Sequence, residues 1–160
     1  MIRYSDTSLI KDLPNNAVLI HPVNCEAKIN YGIMQAISRQ IPDWYTDFRR
    51  YCLWFMDGHA KEIIGTFHRF ELSPTKLICS CVVQERAIKG IDFTDYEAWT
   101  KVLNKIELQT RRINATGKSW TLHFDSRFYT TKFGEDEEFT TILHEIFDES
   151  PVELVIHTGR

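Results

Sequence analysis

Short apolar runs alternate with amphipathic segments along this chain, and this alternation limits the folds open to it. The clearest run is Ala17 to Val23, which follows a turn at Leu13-Pro14-Asn15-Asn16 and is typical of a buried strand. Apolar residues then recur at helical spacing, at Ile33, Met34, Ile37 and Ile41. Strands joined by helices are covered on both faces. The pattern therefore predicts an α/β fold with helices on both sides of a sheet.

The remaining segments continue the alternation. Strands are predicted over 2–4, 63–72, 77–83, 119–124 and 152–157, and the two around Ser73-Pro74 predict a hairpin. Helices are predicted from Pro42 to Phe55, over 94–113, and from the acidic start at 135 to Phe147, with a polar loop over 125–134. We expect one domain spanning residues 1–160.

Charge and composition exclude several classes of partner. The 160 residues have a formal net charge of −3, which argues against general nucleic-acid binding because neutralising phosphates requires a basic face. The chain has no apolar run long enough to span a membrane and no signal peptide, so we expect a cytoplasmic protein with no membrane partner. The four cysteines are expected to be free thiols in a reducing compartment.

The segment from Ile20 to Ile33 is the best candidate for a ligand site. The strand ends at Asn24, a polar loop follows, and Gly32 opens a helix. Backbone amides at a helix N-terminus bind phosphate oxygens. The alternative interpretation is an ordinary turn between a strand and a helix.

In this arrangement the sequence resembles the macro domains, the family that binds ADP-ribose. It is most similar to the small branch that includes the terminal ADP-ribose deglycosylase and the ADP-ribose 1″-phosphate phosphatase. The resemblance spans nearly the whole chain, and its matching features are Val23-Asn24-Cys25, Gly32-Ile33, Pro42, Tyr51-Cys52, Val83-Gln84, Tyr96-Glu97-Ala98-Trp99 and the final segment 139–157.

The resemblance implies a three-layer α/β/α sandwich with a mixed, roughly six-stranded central sheet. It places a cleft between the loops that follow the strands ending near Asn24 and Phe124. It also implies that Asn24 contacts the distal ribose, that Gly32 lies beside the pyrophosphate, and that Asp6 receives the adenine amine, with Asp12 as the competing acid. The ligand-binding residues expected on this basis are Asp6, Asn24, Cys25, Asn30, Tyr31, Gly32 and Ile33, with Ser126, Arg127, Phe128, Tyr129 and Thr130 in the second loop.

Both loops have fewer glycines than the family pattern. Ala27, Lys28, Asn30 and Tyr31 occupy the first loop, and Gly134 is the one glycine of the second. Side-chain charge can replace lost backbone donors, and the cations placed for this are Lys28, Arg127 and Lys132. Phe128 and Tyr129 are suited either to stacking on the ligand or to packing in the core. The lysine and aspartate pair of the deglycosylase has no clear match.

The candidate catalytic residues are Asn24 and Glu26, where the Glu26 carboxylate would orient a water molecule. His21 and Asp125 are further candidates for a general base. The six histidines show no metal-binding spacing, so no metal and no cofactor are expected.

Three functions remain open at this point. The first is binding of ADP-ribose or of ADP-ribosylated macromolecules. The second is hydrolysis of the ADP-ribosyl group or of its terminal phosphate. The third is a degenerate macro fold that serves as an interaction module or binds another nucleotide.

Overall fold

A computed structural model describes residues 1–29, 32–54, 59–84, 95–131 and 134–159. The strands of the main sheet are β1 (Ile2–Ser5), β2 (Ala17–Asn24), β3 (Phe67–Ser73), β4 (Lys76–Gln84), β5 (Thr121–Asp125) and β8 (Leu154–His157). A small separate hairpin consists of β6 (Thr130–Thr131) and β7 (Gly134–Glu135). The helices are α1 (Gly32–Gln40), α2 (Pro42–Leu53), α3 (Tyr96–Asn114) and α4 (Glu137–Phe147), with short 3₁₀ turns at Ala60–Ile63 and Ser126–Phe128.

The six long strands form one mixed sheet in the order β1-β8-β5-β2-β4-β3. Five of these strands are parallel, and β3 joins β4 as an antiparallel edge strand. The predicted mixed sheet and the predicted hairpin are confirmed.

Helices cover both faces of the sheet because successive side chains of the central strands point to opposite sides. In β2, Val18 and Ile20 join the core beneath α3 and α4. Leu19 and Val23 of the same strand join the core beneath α1 and α2. All eight residues of β2 are buried, including the polar His21 and Asn24, as a mainly apolar run of strand length predicts. Within the described ranges, no helix is both long and apolar enough to span a lipid bilayer.

Two predicted segments were wrong in detail. The strand expected over 63–72 begins only at Phe67, because Gly65 takes a left-handed conformation (φ +88°) after the 3₁₀ turn. The loop expected over 125–134 contains a 3₁₀ turn and one side of the small hairpin. Phe55, the predicted helix stop at 57–58 and the predicted helix start at Thr94 lie outside the described residues.

Candidate functional site

The first loop and the second loop both lie at the carboxyl edge of the sheet. The first follows Asn24 at the end of β2, and the second follows Asp125 at the end of the neighbouring strand β5. The chain then runs to α1 on one face of the sheet and to α4 on the other. Neighbouring parallel strands whose connections diverge in this way leave a crevice at their carboxyl ends, where α/β folds bind ligands.

Asn24 is the residue that closes the first loop. Its side chain is buried, and its Oδ1 accepts hydrogen bonds from the backbone N–H of Glu26 (3.0 Å) and of Lys28 (3.1 Å). Its Nδ2 donates to the Lys28 carbonyl at 2.9 Å. The amide predicted to contact a ribose is therefore committed to shaping the loop, as in an Asx turn.

Two further features fix the path of the first loop. The Cys25 N–H donates to the Gln84 carbonyl at 2.9 Å, which joins the loop to the end of β4. Ala27 has a φ of +55°, a left-handed conformation that costs a residue with a Cβ about 1–2 kcal/mol. Tyr45 of α2 donates its hydroxyl to the Ala27 carbonyl at 3.1 Å, so α2 supports the loop at this strained position.

The charged residues of the first loop neutralise each other. Lys28 Nζ lies 2.8 Å from Glu26 Oε2, and the Lys28 side chain is largely exposed. The candidate base Glu26 is therefore half-buried beside a cation. Ile33 is half-buried against the core under α1, and Gly32 begins that helix. Asn30, Tyr31 and Lys132 lie outside the described residues.

The second loop begins with a buried carboxylate. Asp125 accepts a hydrogen bond from the Arg127 N–H at 2.8 Å and is gripped by the Arg127 guanidinium, with Nε at 3.0 Å from Oδ1 and Nη2 at 2.5 Å from Oδ2. The hydrogen bond to Asp125 raises the pKa of Arg127. The side chain of Asp125 is 4% exposed and that of Arg127 58%. The guanidinium predicted to grip phosphate holds Asp125 in this structure.

The aromatic residues of the second loop pack in the core. Tyr129 is 1% exposed, and its ring lies 5.0 Å from that of Phe139 and 6.2 Å from that of Phe124. Phe128 is half-buried and contacts Phe124, Phe139 and Trp99. The stacking role expected of Tyr129 is therefore corrected to a packing role, because no face of its ring is left for a ligand. The same packing removes the loop aromatics as a reason to expect an interaction module.

The other second-loop candidates, Ser126 and Thr130, lie in the 3₁₀ turn and in the small hairpin. Ser126 opens the 3₁₀ turn, and its carbonyl accepts from the Tyr129 N–H at 3.2 Å. Thr130 pairs with Glu135 in the small hairpin.

Asp6 and Asp12, the two acids that compete for the adenine contact, differ in their surroundings. Asp12 accepts a hydrogen bond from the Ser8 N–H at 2.8 Å. Asp6 is exposed, and within the described ranges its carboxylate has no hydrogen-bond or salt-bridge partner. Asp6 directly follows β1 at the same edge of the sheet. The structure therefore favours Asp6 as the acid that is available to a ligand.

His21 is excluded as a general base. It is buried in β2, its Nε2 lies 2.7 Å from Ser80 Oγ, and burial lowers its pKa to about 3. The described residues contain no group of three or more side chains able to hold a metal ion.

A pair of buried histidines that the sequence did not predict as a pair consists of His123 on β5 and His157 on β8. Their rings are joined by a hydrogen bond of 2.8 Å between His123 Nδ1 and His157 Nε2. The available signal was a histidine within each of two otherwise apolar strands, where a buried polar side chain needs a partner.

The fold of this chain is that of the macrodomains. The structure aligns with a macrodomain protein from Streptomyces coelicolor over 100% of both chains, with a TM-score of 0.75 and 12% identity. It aligns with the DarG macrodomain of Mycobacterium tuberculosis over 100% of this chain and 99% of that one, with a TM-score of 0.72 and 18% identity.

A further neighbour was solved with a ligand. Thermosipho africanus DarTG in complex with ADP-ribose aligns with a TM-score of 0.60 and 14% identity, over 87% of this chain and 37% of that one. No protein-family model matches the sequence, and no curated protein matches it either.

Proposed function

We propose that this protein binds ADP-ribose, or the ADP-ribosyl group of a modified macromolecule, at the carboxyl edge of its sheet. The main supporting observation is the macrodomain fold, in which the loops after the neighbouring strands β2 and β5 lie at one edge and their connections diverge to opposite faces. The ADP-ribose complex of Thermosipho africanus DarTG adds support from a structural neighbour.

The proposed orientation follows from the charges at this edge. The adenine lies toward the exposed carboxylate of Asp6, which can accept a hydrogen bond from an exocyclic amine. The diphosphate lies at the start of α1, where backbone N–H groups and the helix dipole favour anions. The distal ribose lies against the first loop, whose backbone is held in place by Asn24. No cofactor and no metal take part in this proposal.

Hydrolysis is the second candidate function. It is favoured by the half-buried Glu26 carboxylate, which is placed to orient a water molecule once Lys28 turns to a ligand phosphate. We also propose that the protein works in the reducing cytosol, because its four cysteines are buried thiols that form no disulfide.

Calorimetric titration with ADP-ribose tests the proposal. We expect saturable binding that Asp6→Asn weakens about tenfold, the cost of one hydrogen bond to a charged group. Asp43→Asn is the matched control, because Asp43 is an exposed acid in the first turn of α2 and belongs to neither loop. Absence of heat and of a thermal shift at millimolar ADP-ribose would refute binding. Release of ADP-ribose from a modified substrate, lost in Glu26→Gln, would establish hydrolysis.

A further inference from the structure

A continuous line of hydrogen bonds crosses the interior of the sheet from β5 to the segment after β1. Thr121 Oγ1 lies 2.7 Å from His123 Nε2, and His123 Nδ1 lies 2.8 Å from His157 Nε2. His157 Nδ1 lies 3.1 Å from Thr7 Oγ1 and 3.3 Å from the Thr7 carbonyl. Ser5 Oγ completes the line at 2.7 Å from Thr7 Oγ1.

The chemistry of neutral imidazole gives this line a direction. Burial lowers the pKa of His123 to about 4 and also lowers that of His157, so both rings are neutral at pH 7 and each has one donor and one acceptor. A carbonyl only accepts, so the bond to the Thr7 carbonyl requires a proton on His157 Nδ1. His157 Nε2 then accepts from His123 Nδ1–H, and His123 Nε2 accepts from the Thr121 hydroxyl. Every ring nitrogen is satisfied in this arrangement, and the bond to the Thr7 carbonyl distinguishes it from the reverse one, in which the Thr7 hydroxyl would donate to His157 Nδ1.

The line ends on the segment that contains Asp6. The end of β8 holds the same segment from a second side, because the Thr158 N–H donates to the Ser5 carbonyl at 2.8 Å and the Thr158 hydroxyl donates to it at 3.1 Å. Gly159 leaves room for this approach, since a Cβ there would collide with the Asp6 carbonyl. The backbone around Asp6 is thus fixed while its carboxylate remains exposed.

We propose that His123 and His157 are positioning residues that hold Asp6 for the nucleoside end of the ligand. This inference rests on the proposed function, and it assigns the adenosine half of the ligand to the segment 5–7. Neither histidine touches the ligand. They act through Thr7, whose backbone and side chain both meet His157.

The test compares ligands that contain adenosine with one that does not. His157→Phe keeps an aromatic ring and removes both nitrogens. We expect this variant to weaken ADP-ribose and AMP about tenfold, the equivalent of one hydrogen bond, and to leave ribose 5-phosphate unchanged. His68→Phe is the matched control, because His68 is another buried histidine on a strand, bonded to Asp47 at the far edge of the sheet. It should change none of the three affinities.

A second variant tests the proposal if His157→Phe does not fold. Thr7→Val replaces the hydroxyl of Thr7 by a methyl group, whereas Thr7→Ser retains the hydroxyl. The first variant should selectively weaken binding of the adenosine ligands, and the second should bind them as the wild type does. In the wild type, ¹⁵N spectra should show His157 protonated on Nδ1.

The outcomes separate the two proposals. If the wild type binds none of the three ligands, the proposed function fails and this inference fails with it. If the wild type binds ADP-ribose while His157→Phe and Thr7→Val leave binding unchanged, or weaken all three ligands alike, the positioning role alone is overturned. A His157 ring protonated on Nε2 also contradicts the proposal.

Discussion

The first and second loops begin with the same kind of side-chain hydrogen bond to the backbone, but different interactions hold the residues that follow. Asn24 and Asp125 each end a strand, and each accepts a hydrogen bond from the backbone N–H two residues later. Asn24 also accepts a hydrogen bond from the Lys28 N–H and donates one to the Lys28 carbonyl, and neither bond involves a charged group. Asp125 instead binds the exposed guanidinium of Arg127. The backbone of the first loop is held by hydrogen bonds from the uncharged Asn24 amide. The second loop is held by an ion pair, and a competing anion can attract the Arg127 guanidinium of that pair.

Under the proposed function, this difference allows an edge with few glycines to accept a phosphate ligand. The first loop supplies a fixed backbone, because the Asn24 amide holds Glu26 and Lys28 by their backbone groups. The second loop supplies a cation whose present partner is a buried carboxylate. We expect Arg127 to exchange part of its contact with Asp125 for a ligand phosphate when the ligand binds.

The largest expected effect is that of Asn24→Ala. Removing the amide breaks three hydrogen bonds and leaves two backbone N–H groups with no partner, so the free energy of unfolding should fall by about 2–4 kcal/mol. Urea denaturation measures this change. Asn104→Ala is the control, because Asn104 is an exposed asparagine with one hydrogen bond to a backbone carbonyl. If the free energy of unfolding falls by the same small amount in both variants, Asn24 does not hold the first loop.

The second prediction concerns the ion pair of the second loop. Arg127→Gln should lower the free energy of unfolding by about 1–2 kcal/mol, because the buried Asp125 carboxylate loses its charged partner. The loss should shrink in 1 M salt, where ion pairs are screened, whereas that of Asn24→Ala should not. Arg111→Gln, which breaks the pair with Glu107 on α3, is the control and should cost less. Equal salt dependence of the Asn24 and Arg127 variants would remove the distinction between the loops.

The smallest expected effect is a gain in stability. Ala27→Gly should raise the free energy of unfolding by about 0.5–1 kcal/mol, because glycine adopts a φ of +55° without strain and loses only part of this gain to chain entropy. Ala36→Gly in α1 is the control and should destabilise by about 1 kcal/mol. Thermal denaturation distinguishes the two signs. A destabilising Ala27→Gly would show that the first loop is not strained at this position.

The fold was largely predictable because its signals are local. The apolar run of β2 has strand length, and acids at 135–137 favour a helix start, where Asp136 does accept from the Phe139 N–H. The site was less predictable, because its residues are defined by partners distant in sequence or by loop geometry. The sequence alone does not distinguish a loop tyrosine that stacks on a ligand from one that, like Tyr129, packs on Phe139.

The histidine pair shows the same limit more sharply. His123 and His157 are separated by 34 positions in the chain and meet only because β5 and β8 are neighbours in the sheet. Strand order depends on which helices cover which face, and no local pattern specifies it. The sequence places the cation Arg127 in the second loop, but it does not predict the bond of Arg127 to Asp125, because that bond depends on the path of the loop.

The most direct test of the account is a titration of ¹⁵N-labelled protein with ADP-ribose, followed by amide chemical shifts. Binding at this edge predicts saturable shifts concentrated in residues 5–7, 24–29, 32–33, 125–131 and 134–136, which are the described segments at or just beyond the carboxyl edge of the sheet. Shifts confined to the opposite edge, or no shifts at millimolar ADP-ribose, would contradict it.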